Sequence, residues 1–276
     1  MTVLLLLIPA LFAIGQCRMV KPCNGSVTIE NVVQNQNVLI ANVSMPYQFA
    51  IDYDTNTLFF SYTANKEEMF ESNYLNLKDY TNGVIKGVSG GFAHAVDTGK
   101  QIVYIGGSNG IYTFDYNTKK ATNIHITSDS IWQMFYKDGL YFTTHPDEKV
   151  YIYKDGQVTL VPELAHTKAM LVAVDNRKNM FYYRSSELHM LQNGTNFKLG
   201  DYVINAFNAD IHGNIYFSSP GAIYRIKENN EIVKMITLPN VFGFAVKSDN
   251  TLIYGTENNI IELVPTKEMC YKENVF

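Results

Sequence analysis

The fold this sequence predicts is all-β: a six-bladed β-propeller closed by an N-terminal strand in its last blade. Three observations predict it. The composition favours strands. One segment recurs six times at a spacing of about 40 residues, the signature of a radial repeat. The strand count is one short at the C-terminal end and one over at the N-terminal end. Among 276 residues, 46% are hydrophobic and 17% charged, which excludes a disordered chain. Tyr (19) and Phe (16) are abundant and Pro (8) is not, the balance expected of β-structure. The net charge is −4 and no basic block occurs, so the clustered Lys and Arg that nucleic-acid binding needs are missing.

The chain opens "MTVLLLLIPALFAIGQC". Its apolar run, Val3–Ile14, is too short to span a bilayer and has the length of a secretory signal, with cleavage expected after Gly15 or Cys17. Residues 1–17 are therefore read as a signal peptide and 18–276 as one propeller domain. No later run approaches transmembrane length, so no membrane partner is expected. Secretion is consistent with sequons at Asn24 (NGS), Asn42 (NVS) and Asn193 (NGT). The cysteines are Cys17, Cys23 and Cys270. If Cys17 leaves with the signal or stays unpaired, Cys23 and Cys270 lie near the two ends of the mature chain, where a bridge would tie the termini together in an oxidising compartment. The other possibility is two free thiols.

The repeat is visible in "YQFAIDYDTNTLFFSY" (47–62), "FAHAVDTGKQIVYIG" (92–106), "IWQMFYKDGLYFTT" (131–144), "MLVAVDNRKNMFYYR" (170–184), "NAFNADIHGNIYFSS" (205–219) and "FGFAVKSDNTLIYGT" (242–256). Each copy is an apolar strand, a polar turn and an aromatic-rich strand. Aligned on Asp52, Asp97, Lys137, Asp175, Asp210 and Lys247, the copies lie 45, 40, 38, 35 and 37 residues apart. A third strand follows in each, alternating in "IYTFDY" and "AIYRIK" as half-buried strands do. Fourth strands such as "ATNIHI" (121–126), "QVTLVP" (157–162) and "EIVKMITL" (231–238) complete four per unit. Turns carry Asn82-Gly83, Asp155-Gly156, Asn193-Gly194 and His212-Gly213, where positive φ is needed. A β-sandwich would not demand so regular a repeat.

The sixth copy supplies only three strands, and one strand, "NVLIANV" (37–43), precedes the first copy. Placing it on the outer edge of blade six closes the ring and brings the chain ends together. A Cys23–Cys270 bridge there would contribute roughly 4–5 kcal/mol in the chain-entropy account.

The first strand of each propeller blade lines the central channel. Five residues before each aligned position stand Tyr47, Phe92, Trp132, Met170, Asn205 and Phe242. This row is an apolar collar at the mouth where those strands begin. Planar ligands stack on such rings, each contact contributing about 0.5–1.5 kcal/mol beyond area burial. Gln48, His94, Gln133 and Asn205 are the candidate polar anchors. The plainer reading, inter-blade packing, is preferred for the row beginning at Phe49. Asp52, Asp97, Asp175 and Asp210 fall beside turns, where Asp bonds its own backbone. A calcium-dependent propeller hydrolase would need six or more oxygen ligands around the channel, and the collar row holds one Asn and no carboxylate. The six histidines show no ligand spacing, the cysteines do not fit a zinc site, and no Gly-x-Ser-x-Gly elbow occurs. "GGSNG" (106–110) and "VSGGF" (88–92) read as loops.

The phrases "KPCNGSVTIENV", "MPYQFAIDYDTNTLFFSY", "GGFAHAVD", "YIGGSNGIYTFDY" and "SIWQMFYKDGLYFT" are not generic propeller consensus. Together they resemble the ommochrome-binding proteins of moth and butterfly haemolymph, most strongly over residues 45–145. The resemblance implies a secreted carrier of ommochromes, aromatic pigments derived from tryptophan, or of their precursors, with no catalysis and no cofactor beyond the bound pigment. It carries no residue-level motif for the site. The competing class is a channel-centred hydrolase of the gluconolactonase or paraoxonase type. A weaker third is a protein-binding propeller.

Overall fold

The computed structural model describes residues 21–22, 26–64 and 69–271. The expected signal, Cys17, Cys23 and Asn24 lie outside the described residues. Six antiparallel sheets stand around one axis. Their innermost strands are Tyr47–Asp52, Ala93–Asp97, Ser130–Tyr136, Leu171–Val174, Ala206–Ala209 and Phe244–Val246. These strands begin the six sequence copies in order, and in blades one to five the next three strands along the chain pair outward from each. Among the described residues no helix is long and apolar enough to cross a membrane.

Blade six is closed as the strand arithmetic predicts. Its third strand, Asn259–Tyr271, pairs antiparallel with Val32–Ala41, Ile260 opposite Ile40 and Ile261 opposite Val38. The N-terminal strand begins five residues earlier than "NVLIANV" indicated and stops at Ala41, because Asn42 turns to φ 60°. "ATNIHI" likewise ends early, at Asn123, whose Oδ1 accepts the His125 N–H at 2.7 Å and turns the chain. Lys21–Pro22 runs parallel to the end of the same long strand, Lys21 opposite Cys270. Cys270 is buried.

Burial changes along each blade's radius. Leu171–Val174 and Phe244–Val246 are buried at every position, as are Met180–Tyr183 in the second strand of blade four. Third strands mix buried and half-buried positions without the strict alternation expected of residues 111–116 and 222–227, because neighbouring blades cover both faces near the axis, and the outer strand Thr195–Asp201 has no buried position. The inner strands are covered on both faces by neighbouring blades, so they read as continuous apolar runs. The core is a set of clusters that straddle blade boundaries. Phe59, Val103, Ile105 and Phe114 join blades one and two. Ala93, Ala95, Ile131 and Phe142 join two and three, and one large cluster runs from Phe135 through Phe181 to Phe207 and Phe217 across three, four and five. Tyr216, Ile223, Phe244 and Leu263 join five and six; Phe49, Leu58, Phe60, Ala245 and Ile253 join six and one. Fully burying each such aromatic or branched side chain contributes about 1.5–3 kcal/mol.

The ring is not perfectly sixfold. Asn208 Nδ2 of blade five donates to Phe49 O of blade one and to Phe244 O of blade six, each at 2.8 Å. Tyr53 of blade one donates from its hydroxyl to Val246 O at 2.8 Å and Ala209 O at 3.3 Å. Blades five and one thus meet in front of the short inner strand of blade six. Gly243 permits blade six to pack closely on blade one: a Cβ there would stand 2.6 Å from the Phe49 ring and 3.0 Å from Pro46 O. We expect Gly243→Ala to destabilise the fold by about 1–3 kcal/mol through overpacking at this closing interface. A thermal melt followed by circular dichroism reads the effect, and an unchanged midpoint would contradict the packing described.

Candidate functional site

At the mouth where the inner strands begin, the structure brings the collar rings of four blades into contact. Phe242 and Tyr47 lie 5.2 Å apart between centroids, Tyr47 and Phe92 5.8 Å, and Phe92 and Trp132 4.9 Å. Trp132 also stacks on His145 at 5.6 Å. Phe70, from the third strand of blade one, adds a ring 4.4 Å from Phe92. Sequence reasoning missed Phe70 because it lies outside the repeated two-strand segment. The Phe242, Tyr47 and Phe92 rings meet edge-on or tilted, arrangements that aromatic quadrupoles favour, so these faces are already partly occupied by one another. Blades four and five contribute Met170 and Asn205 at this position in place of aromatic rings.

Three of the four candidate anchors are bound into the scaffold. Gln133 is buried and bridges blades three and four: its Nε2 donates to Val172 O at 3.0 Å and to Met134 O at 2.9 Å, while its Oε1 accepts the Val172 N–H at 3.1 Å. Asn205 Nδ2 donates to Val241 O at 2.6 Å, linking blades five and six. His94 is buried, with Nδ1 3.0 Å from Gln48 O and Nε2 3.0 Å from Ser72 Oγ. Gln48 is buried with its backbone at φ 50°, and its carbonyl is the one His94 engages. Among the described residues, Gln48 is the candidate anchor whose side-chain amide makes no hydrogen bond.

Open space lies toward the opposite mouth, where the inner strands end. A cavity of about 840 Å³ is lined there by blades one to five and by no residue of blade six. Blade six is excluded because Asn208 and Tyr53 close the axis in front of it. Phe49, His94, Met134 and Phe207 line its deep end, each two residues beyond a collar position. Two residues of strand span roughly 7 Å. Tyr53, Asp97 and Tyr136 stand in the walls, and Asp54, Lys137, Asp138 and His212 near the opening. Of the collar and anchor residues, His94 alone lines this cavity. The row beginning at Phe49 has both roles, inter-blade packing and cavity wall.

The turn aspartates behave as their positions predict, with one exception. Asp175 Oδ1 accepts the Arg177 and Asn179 N–H groups at 2.9 and 2.8 Å, and its Oδ2 accepts Asn179 Nδ2 at 2.9 Å. Asp210 repeats this with His212, Asn214 and Asn214 Nδ2. Asp52 caps Asp54 N and takes the Thr55 and Tyr116 hydroxyls. Asp97 accepts the Lys100 N–H at 3.3 Å on Oδ1, while its Oδ2 is buried with no donor at hydrogen-bond geometry, although the Tyr136 hydroxyl interacts with this carboxylate. The difference is legible in the sequence. Asn stands four residues after Asp175 and Asp210, whereas Gln101 stands four after Asp97 and donates to Asp54 instead. Among the described residues, no group of three or more His, Cys, Asp or Glu could hold a metal ion.

No family model matches the chain. It is 41% identical over 280 aligned residues to the ommochrome-binding protein of Manduca sexta, covering 98% of this chain and 100% of that protein. Among solved structures it is similar to a gluconolactonase from Xanthomonas campestris, at 12% identity and a TM-score of 0.70 over 87% of this chain and 95% of that one. A putative gluconolactonase matches at 10% identity and a TM-score of 0.67, over 91% and 98%. A luciferin-regenerating enzyme matches at 11% and 0.64, over 87% and 98%. At these identities the structural likenesses establish the fold and nothing of the chemistry.

Burial pulls the His94 imidazole down to about 4, against a weaker upward pull from its bond to Gln48. The folded state therefore prefers the neutral ring. Its contribution is complete above the unfolded value of about 6.5 and is lost as pH falls toward 4, to an extent on the order of 3 kcal/mol. Urea melts at pH 7, 5.5 and 4.5 should show this loss in the wild type and a flatter profile in His94→Gln. Identical slopes would mean that His94 is not the group responsible.

Proposed function

This chain belongs to the ommochrome-binding protein family, and we propose that it is a secreted, non-catalytic carrier of a planar aromatic pigment held on the propeller axis. The observation that carries the proposal is identity running end to end with a protein of that name. Since 98% of the chain aligns, all the blades that build the axis are shared with the relative. The axis is suited to such cargo. Its cavity carries the aromatic and apolar side chains of Phe49, Tyr53, Met134, Tyr136 and Phe207 together with charged and amide groups nearer the opening, so aromatic faces for a planar ligand lie beside polar groups that can orient it. Behind it lies the collar of Tyr47, Phe92, Trp132 and Phe242, proposed as the second aromatic surface available to the pigment. Gln48, His94, Gln133 and Asn205 hold the strands that carry these rings, with the Gln48 amide left to meet a ligand.

Export is part of the same proposal. Asn42 and Asn193 are exposed at positive-φ turns, φ 60° and 50°, where a glycan meets no neighbour in the core. Asn24 is proposed as a third acceptor, and Cys23–Cys270 as the bridge that fastens the termini beside Lys21–Pro22.

The hydrolase reading is less well supported. Asp52, Asp175 and Asp210, the recurring acids at the strand ends, give their oxygens to their own turns and adjacent side chains, which leaves few for a cation needing six or more.

Protein purified from its source should arrive coloured, and recombinant protein should bind xanthommatin with quenching of Trp132, the single indole. Trp132→Ala samples the collar and Met134→Ala the deep end of the cavity. The one nearer the pigment should weaken binding about threefold to tenfold while preserving the β-rich circular dichroism spectrum. Chelation of calcium should leave binding unchanged. Lactone hydrolysis that chelation abolishes would replace the carrier reading with the hydrolase.

A further inference from the structure

We propose that Asp97 is the polar anchor of the axial cavity and that the cavity takes an aromatic ligand bearing an amino group. The inference rests on the carrier reading for the identity of the cargo, and on separate observations for its charge. Asp97 is 4% exposed and stands in the cavity wall. Its Oδ2 meets no donor at hydrogen-bond geometry. The neighbouring Tyr136 hydroxyl, its pKa raised by burial and then by its interaction with Asp97, is close by without capping that oxygen, and a buried carboxylate oxygen left uncapped is costly unless something supplies a donor. The repeat shows that this is a local departure. In blades four and five the corresponding oxygen is taken by Asn179 and Asn214, and in blade two the residue at that position turns away to Asp54. The copy that lacks its internal donor is one that faces the cavity.

The surrounding charge points the same way. The cavity lining holds four carboxylates, on Asp54, Asp97, Asp138 and Asp210, against one ammonium, on Lys137. Lys137 already donates to Asn176 Oδ1. His94 has both ring nitrogens engaged, so it offers the ligand nothing, and His212 stands among the lining residues near the opening. A protonated amine entering this space meets net negative potential and one carboxylate oxygen in need of a donor. Rotation about the Asp97 Cβ–Cγ bond suffices to exchange which oxygen caps Lys100. The Tyr53, Tyr136 and Phe207 rings then receive the aromatic part of the ligand.

The test is calorimetric titration of the mature protein with two probes that share a 4-hydroxyphenylethyl frame and end in an ammonium or a carboxylate, tyramine and 3-(4-hydroxyphenyl)propionate, each also competed against xanthommatin. Tyramine is expected to bind at least tenfold more tightly and to displace xanthommatin. Asp97→Asn keeps an acceptor for the Lys100 N–H and should erase the preference. Asp155→Asn, exposed in the outer turn of blade three and absent from the cavity lining, should leave it within about twofold. Equal affinity for the two probes in the wild type, or a preference that survives Asp97→Asn, overturns the proposal. If Asp97→Asn does not fold, the wild-type ratio decides. Xanthommatin binding without an amine preference removes this inference and leaves the carrier standing. A preference for tyramine without xanthommatin binding keeps Asp97 as the anchor and removes the pigment.

Discussion

Everything in this molecule depends on burying both faces of six short inner sheets. A single blade cannot do so, because its apolar residues point to both sides. Phe59 and Phe60 are adjacent in one strand and both fully buried, one in the cluster with blade two and the other in the cluster with blade six. Only a ring in which every blade has two neighbours satisfies such a strand. The requirement is cooperative, since an unpartnered blade exposes one face of itself and one of its neighbour. This is why the last interface matters most. The strand Val32–Ala41 on Asn259–Tyr271 converts an open stack into a closed one by joining residues far apart in the chain.

Closure also breaks the symmetry that produces it. The inner strand of blade six has three residues, against seven in blade three. Blades five and one fill the space in front of it through Asn208 and Tyr53. A part-buried amide still needs acceptors, and Asn208 finds two carbonyls on the inner strands of blades one and six. The result is an axis with unlike ends. Where the inner strands begin, aromatic side chains lean together. Where they end, turn aspartates and a wide opening remain.

That contrast follows from what each end of a strand requires. The tight turns after the inner strands need side-chain acceptors for their free N–H groups, and Asp supplies them. Negative charge is therefore gathered at one mouth as a by-product of capping. In most copies it is spent locally, by Asn179, Asn214, Thr55 and Tyr116. A small change in one turn is enough to leave a carboxylate oxygen over. In a repeat protein a site can arise by omitting a partner in one copy as well as by adding a residue.

The number of blades, their four-strand composition, the borrowed closing strand and the capping role of most turn aspartates were all determined by the sequence alone. These follow from local rules, periodicity of apolar residues and turn chemistry, that act within about 40 residues. The collar was equally legible, since Tyr47, Phe92, Trp132 and Phe242 share one repeat position, though Phe70 joins them from another strand. Only the tertiary structure decided that Gln133, Asn205 and His94 would be consumed by bonds to neighbouring blades, because a partner such as Val172 or Val241 lies in the next repeat and its carbonyl has no signature in sequence. It also decided where the open space lies. Cavity volume is what remains after all side chains pack, and here it depends on Asn208 and Tyr53 reaching partners between 36 and 193 residues away. No pattern along one chain encodes that remainder.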